Sequence, residues 1–117
     1  GYQHSIILDN EGYGYGSGWN ARGQLGIGSL SNSPVFKKMK QKLLKFVKIT
    51  AGKRHTLLID SGGLLYGIGD NNHGQIGQHA NISYSTLPIA MSGDTDHQFV
   101  EIAGGNEHSV CIDNNGK

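Results

Sequence analysis

Apolar residues in this chain come in short runs of about five, separated by glycine, asparagine and aspartate. His4-Ser5-Ile6-Ile7-Leu8, His55-Thr56-Leu57-Leu58-Ile59 and His108-Ser109-Val110-Cys111-Ile112 are three of them. Their length and their share of Ile, Leu and Val suit a buried strand better than a helix. A turn signal follows each: Asp9-Asn10-Glu11-Gly12, Asp60-Ser61-Gly62-Gly63 and Asp113-Asn114-Asn115-Gly116. Asp bonds its own downstream backbone and Gly supplies a positive φ, so these segments read as hairpin turns. Second strands are expected over residues 13–17 and 64–68. Third strands are expected near Pro34-Val35-Phe36 and Leu87-Pro88-Ile89-Ala90, and fourth strands at Phe46-Val47-Lys48-Ile49-Thr50 and Phe99-Val100-Glu101-Ile102-Ala103. The stretch from Lys37 to Lys45 breaks the pattern and reads as a single helical turn, too short to be stable alone.

The runs belong to a repeat. His4 and His55 stand 51 positions apart, as do Asp9 and Asp60, Gly16 and Gly67, Asn20 and Asn71, and Gln24 and Gln75. A third copy opens with an offset of 53, Gly52 to Gly105 and His55 to His108. Within each full copy lies a glycine-rich loop, in which Leu25 and Ile76 are expected to plug the core and Asn20 and Asn71 to bond loop backbone. Four short strands per period of about 50 residues are the mark of a propeller blade. The fold expected is therefore all-β, a partial β-propeller of about two four-stranded blades. The periods are residues 1–51 and 52–104, with 105–117 beginning a third. The chain has no starting Met and stops one residue past a repeat Gly, so it reads as an excerpt of a longer protein.

Composition narrows the function classes. Gly supplies 19 of 117 residues and has no collagen period, which fits many tight turns. A net charge of +1 gives neither nucleic acid nor a membrane surface any support as partner. One cysteine, Cys111, excludes an internal disulfide framework and suits a reducing, intracellular compartment. Its apolar neighbours mark it as a buried, inert thiol. No apolar run is long enough for a membrane helix.

The segments Ala51-Gly52-Lys53-Arg54-His55-Thr56, Gly63-Leu64-Leu65-Tyr66 and Gly69-Asp70-Asn71-Asn72-His73-Gly74-Gln75-Ile76-Gly77 resemble the repeat of the regulator of chromosome condensation family. Residues 1–28 resemble it equally, and residues 103–117 resemble its opening. The resemblance implies a seven-bladed propeller. It also implies protein partners, for the prototype is a guanine-nucleotide exchange factor for a small GTPase, and relatives are modules of ubiquitin ligases and ciliary proteins. Fold does not give function here. The pattern departs where an aromatic is usual before the Gly-x-Asn loop: Ser17 and Ile68 stand there.

Two groups of residues are candidates for partner binding. His4, His55 and His108 share one repeat position, with Arg54, Glu107 and Tyr2 beside them. They read either as a partner-contacting ring or as imidazoles that lock one blade to the next. Repetition in every copy favours the lock, because a partner touches blades unequally. The second group is Lys37, Lys38, Lys40, Lys42, Lys45 and Lys48, six of the ten basic residues. The matching segment of the second copy, Ile89-Ala90-Met91-Ser92-Gly93-Asp94-Thr95-Asp96-His97, is acidic. The lysines read as a patch for an acidic partner (nucleic acid, a tubulin tail or anionic lipid) or as a solvated edge that keeps a strand soluble.

Chemistry has little footing in this sequence. The histidines lack metal-ligand spacing, and Gly14-Tyr15-Gly16-Ser17-Gly18 completes no phosphate-cradling loop. The aspartates are turn residues by position. No catalytic set, cofactor site or metal site is expected. The function expected is a non-enzymatic scaffold for protein–protein contact in a cytoplasmic, ciliary or nuclear assembly, with guanine-nucleotide exchange as the alternative.

Overall fold

The aspartate that closes each apolar run turns the chain back on itself. Asp9 Oδ1 accepts the backbone N–H groups of Glu11 and Tyr13, both at 2.9 Å. Asp60 Oδ1 does the same for Gly62 and Leu64 at the same distance. Gly12 and Gly63 follow with φ of 89° and 86°, a region that side chains rarely enter. The structure, a computed structural model, describes residues 4–41, 44–76, 82–90, 99–104 and 109–113, the last two segments as backbone.

Hairpins built on these turns give β1 (His4–Leu8) with β2 (Gly14–Gly18), and β5 (His55–Asp60) with β6 (Leu65–Asp70). Their registers are copies: His4 lies across from Gly18, and His55 across from Gly69. The outer strands are β3 (Ser33–Lys38) and β7 (Tyr84–Ala90), each carrying a proline, which an edge strand tolerates because its outward N–H needs no partner. The remaining strands are β4 (Phe46–Ala51), β8 (Phe99–Gly104) and β9 (Ser109–Asp113). All pairs are antiparallel, in the sheets β1-β2-β3, β4-β5-β6-β7 and β8-β9. The expected all-β architecture is what the described residues show. The four-stranded sheet draws β4 from ahead of position 51 and three strands from behind it, so sheet and sequence period are offset by one strand.

The loop after β2 plugs the space between sheets. Leu25 is wholly buried and meets Gly16, where a Cβ would lie 3.0 Å from the Leu25 Cβ. Ile76 is its copy, and a Cβ on Gly67 would lie 2.6 Å from the Ile76 Cβ. These glycines are required by close approach and not by backbone angle. Each loop is shaped by its asparagine: Asn20 Nδ2 donates to Ser29 O and Ser31 O, and Asn20 Oδ1 accepts from Leu25 N. Asn71 repeats two of these bonds, to Ile82 O and from Ile76 N. The core between the first two sheets gathers Met39, Phe46, Leu58, Tyr66 and Ile68, with Ile6, Leu8, Leu44 and Ile49 against it. Phe46 and Tyr66 meet edge to face at 5.5 Å, a geometry worth about 0.5–1.5 kcal/mol beyond burial.

The described part of Lys37 to Lys45, expected as a helical turn, is not a helix, and a single turn bond, Leu44 N to Gln41 O, is found there. Lys37 and Lys38 extend β3, and the connector beyond them is tied to the start of β2. Met39 N donates to Gly14 O, and Phe46 N donates to Gly12 O. Gln41 completes the tie: Nε2 donates to Gly12 O and Leu44 O, and Oε1 accepts from Gly14 N. Backbone partners on a neighbouring strand outcompete a helical turn that would offer few bonds of its own. Residues 42–43 lie outside the described set, as do residues 105–108, and the side chain of Cys111 is not described.

Candidate functional site

The registers fix where each candidate group stands. His4 and His55 begin their strands, so they share one end of the sheets with the 52–54 connector and the glycine-rich loops. The Asp9 and Asp60 turns occupy the opposite end, and Lys38, paired with Tyr15, lies there too. His4, His55 and Arg54 therefore stand at one end, and Lys38 and Lys45 at the other.

At the histidine end, the imidazoles point inward. His4 is 3% exposed and His55 wholly buried. The ring of His4 crosses from the first sheet to the second, its Nε2 3.0 Å from Thr56 Oγ1. Thr56 donates its only hydroxyl proton to Gln24 O at 2.8 Å. His4 must then donate through Nε2, which fixes the tautomer. Its Nδ1 is buried and finds no hydrogen-bond partner among the described residues. Burial, the largest cause, pushes the His4 pKa down to about 4. A neutral imidazole that links two sheets fits the lock, and it leaves little ring surface for a partner. His108, Glu107 and Tyr2 lie outside the described residues.

What this end presents to solvent is different. Arg54 is exposed, with its guanidinium carbon 5.8 Å from the centre of the Trp19 ring. Arg22 reaches from the first loop toward the second sheet, Nε 3.4 Å from Asp70 Oδ1. Asp70 is buried and also accepts from Gln75 Nε2 at 2.9 Å. Sequence reasoning passed over Trp19, Arg22 and Asp70. A signal was present, because Trp19 and Asp70 occupy one repeat position with unlike side chains.

At the other end the lysines do not act as one body. Lys38 and Lys45 converge on Tyr13, their Nζ atoms 4.0 and 3.9 Å from the ring centre. Lys45 Nζ also donates to Tyr13 Oη at 2.7 Å. Lys37 is exposed on β3, and Lys48 is exposed on β4. The stem of Lys40 lies against Gly28, where a Cβ would come within 2.9 Å of it. Lys42 lies outside the described residues. Beside Lys45 a cavity of about 370 Å³ is bounded by Leu8, Asp9, Glu11, Gly12, Phe46 and Val47. The Asp9 carboxyl is held below its ordinary pKa, first by the Tyr13 N–H and then by the Glu11 N–H, the Tyr15 hydroxyl and the charge of Lys38.

No group of three or more metal-ligating side chains occurs among the described residues. No helix there is long and apolar enough to cross a membrane.

Comparison with known proteins gives consistent matches. The family model described as the regulator of chromosome condensation repeat matches residues 11–59 and 62–112, and a second model of that repeat matches residues 46–75. The ultraviolet-B receptor UVR8 of Arabidopsis thaliana is 32% identical over 113 residues, covering 96% of this chain and 26% of the receptor. The human X-linked retinitis pigmentosa GTPase regulator is 28% identical over 120 residues, covering 100% of this chain and 12% of the relative. Among solved structures, Prp20p of Saccharomyces cerevisiae superposes with a TM-score of 0.84 at 22% identity, covering 95% of this chain and 29% of that one. That structure was described together with the binding of Prp20p to Gsp1p and histones. The chain thus spans about a quarter or less of the length of these relatives.

Proposed function

The chain belongs to the regulator of chromosome condensation repeat family, and we propose on that footing that it is a non-enzymatic β-propeller scaffold for protein–protein contact. One observation carries the reading. The side chains that recur in each copy are spent on the fold itself, the aspartates and asparagines within their own turns and loops and His4 across to the next sheet, whereas exposed charge gathers where the copies differ. Lys38 and Lys45 around Tyr13 offer an acidic protein partner two ammonium groups at one end of the blades. Arg54 over Trp19 offers a second contact at the other end. A buried imidazole with a depressed pKa is a candidate for chemistry only when it opens on a cleft; His4 opens on Thr56. Protein partners in an intracellular assembly, cytoskeletal or ciliary, belong to this proposal.

The test is binding of a glutamate-rich peptide to the full-length protein at two salt concentrations. Lys38→Glu with Lys45→Glu is expected to weaken a salt-sensitive interaction about 10-fold or more, since like charge then meets like. Unchanged binding would dismiss the patch.

Guanine-nucleotide exchange is the second reading, supported by the relative whose name is that of a GTPase regulator. Exchange needs only a surface that prefers the nucleotide-free form of a GTPase, with no covalent step. Nucleotide release from a panel of small GTPases should then accelerate with the full-length protein, with Arg54→Glu reducing the effect. No acceleration across the panel would remove this reading for those GTPases.

A further inference from the structure

Tyr13 and Tyr15 lie two positions apart at the start of one hairpin arm and have opposite electrostatic surroundings. Tyr15 donates its hydroxyl to Asp9 Oδ2 at 3.1 Å, against a carboxylate. Tyr13 is enclosed by the ammonium groups of Lys38 and Lys45, with Lys45 Nζ 2.7 Å from the phenol oxygen in an exposed setting. An exposed cation–π contact stabilises by only about 0.5–1 kcal/mol. Two like charges on one neutral ring also repel each other, so the pair has capacity for an anion that the phenol alone does not use.

We propose that Tyr13 is a phosphorylation site, whose phosphate monoester is held by Lys38 and Lys45. The phenol oxygen attacks the γ-phosphorus of a nucleoside triphosphate bound to a protein tyrosine kinase. An O–P bond forms, the bond from that phosphorus to the β,γ-bridging oxygen breaks, and the nucleoside diphosphate leaves with the electron pair. The phenol proton passes to the kinase's general base. The product adds about −1.5 to −2 charge and three acceptor oxygens at the position Lys45 already bonds. Lys38 approaches the same ring from β3, close enough to bond a phosphate oxygen that extends past the phenol.

The other tyrosines among the described residues do not share these surroundings. A phosphate on Tyr15 would stand against the Asp9 carboxylate. Tyr66 is buried at 9% exposure against Phe46. Tyr84 is exposed on the edge strand β7. Access also favours Tyr13: the turn ahead of it exposes Asn10 and Glu11, and the lysine covering its oxygen is a flexible, exposed side chain. Asp9 and Glu11 are the negative groups nearby. Asp9 is engaged by two backbone N–H groups and Tyr15, and Glu11 is exposed to water that screens it. Capture of the phosphate would cancel the charge of the lysine pair, so modification would close the patch to an acidic partner. The modification site itself does not depend on that partner.

The test treats the full-length protein with a broad-specificity recombinant tyrosine kinase and magnesium ATP, then maps phosphate by peptide mass spectrometry. Phosphate is expected on Tyr13 at least about 5-fold above Tyr15, the ratio expected when one site carries an opposing charge and the other a like charge. The ³¹P resonance of the modified, folded protein should titrate about half a pH unit or more below the same protein in denaturant, because ammonium neighbours favour the dianion. Lys38→Gln with Lys45→Gln should return that midpoint to the denatured value. Phosphate on Tyr15 with none on Tyr13, or a midpoint the same folded and denatured, would overturn the proposal.

Discussion

His4 shows how a residue repeated for structural reasons acquires a measurable property. Its imidazole stays neutral because burial removes the water that would stabilise the cation, bringing its pKa from 6.5 down to about 4. Above pH 6.5 both folded and unfolded chains hold it neutral, and its contribution to stability is fully present. As pH falls from 6.5 toward 4 the unfolded chain takes up the proton first, and stability declines. Below 4 the loss is complete, about 3 kcal/mol at 1.36 kcal/mol per pH unit. Urea midpoints of the full-length protein between pH 7.5 and 4.5 should show this slope, and His4→Gln should flatten it. An equal slope in both proteins would assign the acid sensitivity to other groups. The sequence made the histidine position legible because it recurs, and the same holds for Asn20, Asn71, Leu25 and Ile76. It did not make the Arg22–Asp70 contact legible. That contact joins two copies at a place where they differ, and period alone says nothing about which unlike residues meet.

At the scale of elements, most strands were readable to within a residue or two because their apolar runs end at turn chemistry, whereas β7 begins three residues before its expected place. β1 was expected at residues 4–8 and is found there, while β2 lies one residue beyond its expected place. The connector after β3 was misread for a physical reason. Lys37 to Lys45 mixes lysines with Met39, Leu43 and Leu44, a pattern compatible with a short helix. What decides its shape is the set of free backbone groups on β2 and the turn before it, which local sequence does not display. Gln41 bonds two such groups, on Gly12 and Gly14, and a third on Leu44 of the connector itself. Gln41→Ala removes all three bonds and leaves the buried Gly14 N–H without its acceptor, while Gly12 O keeps the Phe46 N–H, so it should cost about 1–2 kcal/mol. Denaturant unfolding of the full-length protein measures this. A cost below about 0.5 kcal/mol would show that water replaces the side chain there.

For the whole molecule, the sheets stack through a core formed jointly by neighbours, as repeat architectures require. Each blade offers two ends, with His4, His55 and Arg54 at one and Lys38 and Lys45 at the other. That division was not available from the sequence, because spacing along a strand does not say which end a side chain serves until register is known. The central claim is that residues repeated across copies serve the fold, His4 by bridging two sheets, while the unrepeated charges at the blade ends meet partners. The most direct measurement compares chemical unfolding of the full-length protein carrying His4→Ala with that carrying Lys38→Glu and Lys45→Glu. His4→Ala should lose about 2 kcal/mol, through the Thr56 bond and the cavity it leaves. The lysine double variant should lose clearly less, about 1 kcal/mol, because its contacts to Tyr13 are exposed and the two ammonium groups repel each other. A destabilised lysine variant beside an unaffected His4→Ala would contradict the account.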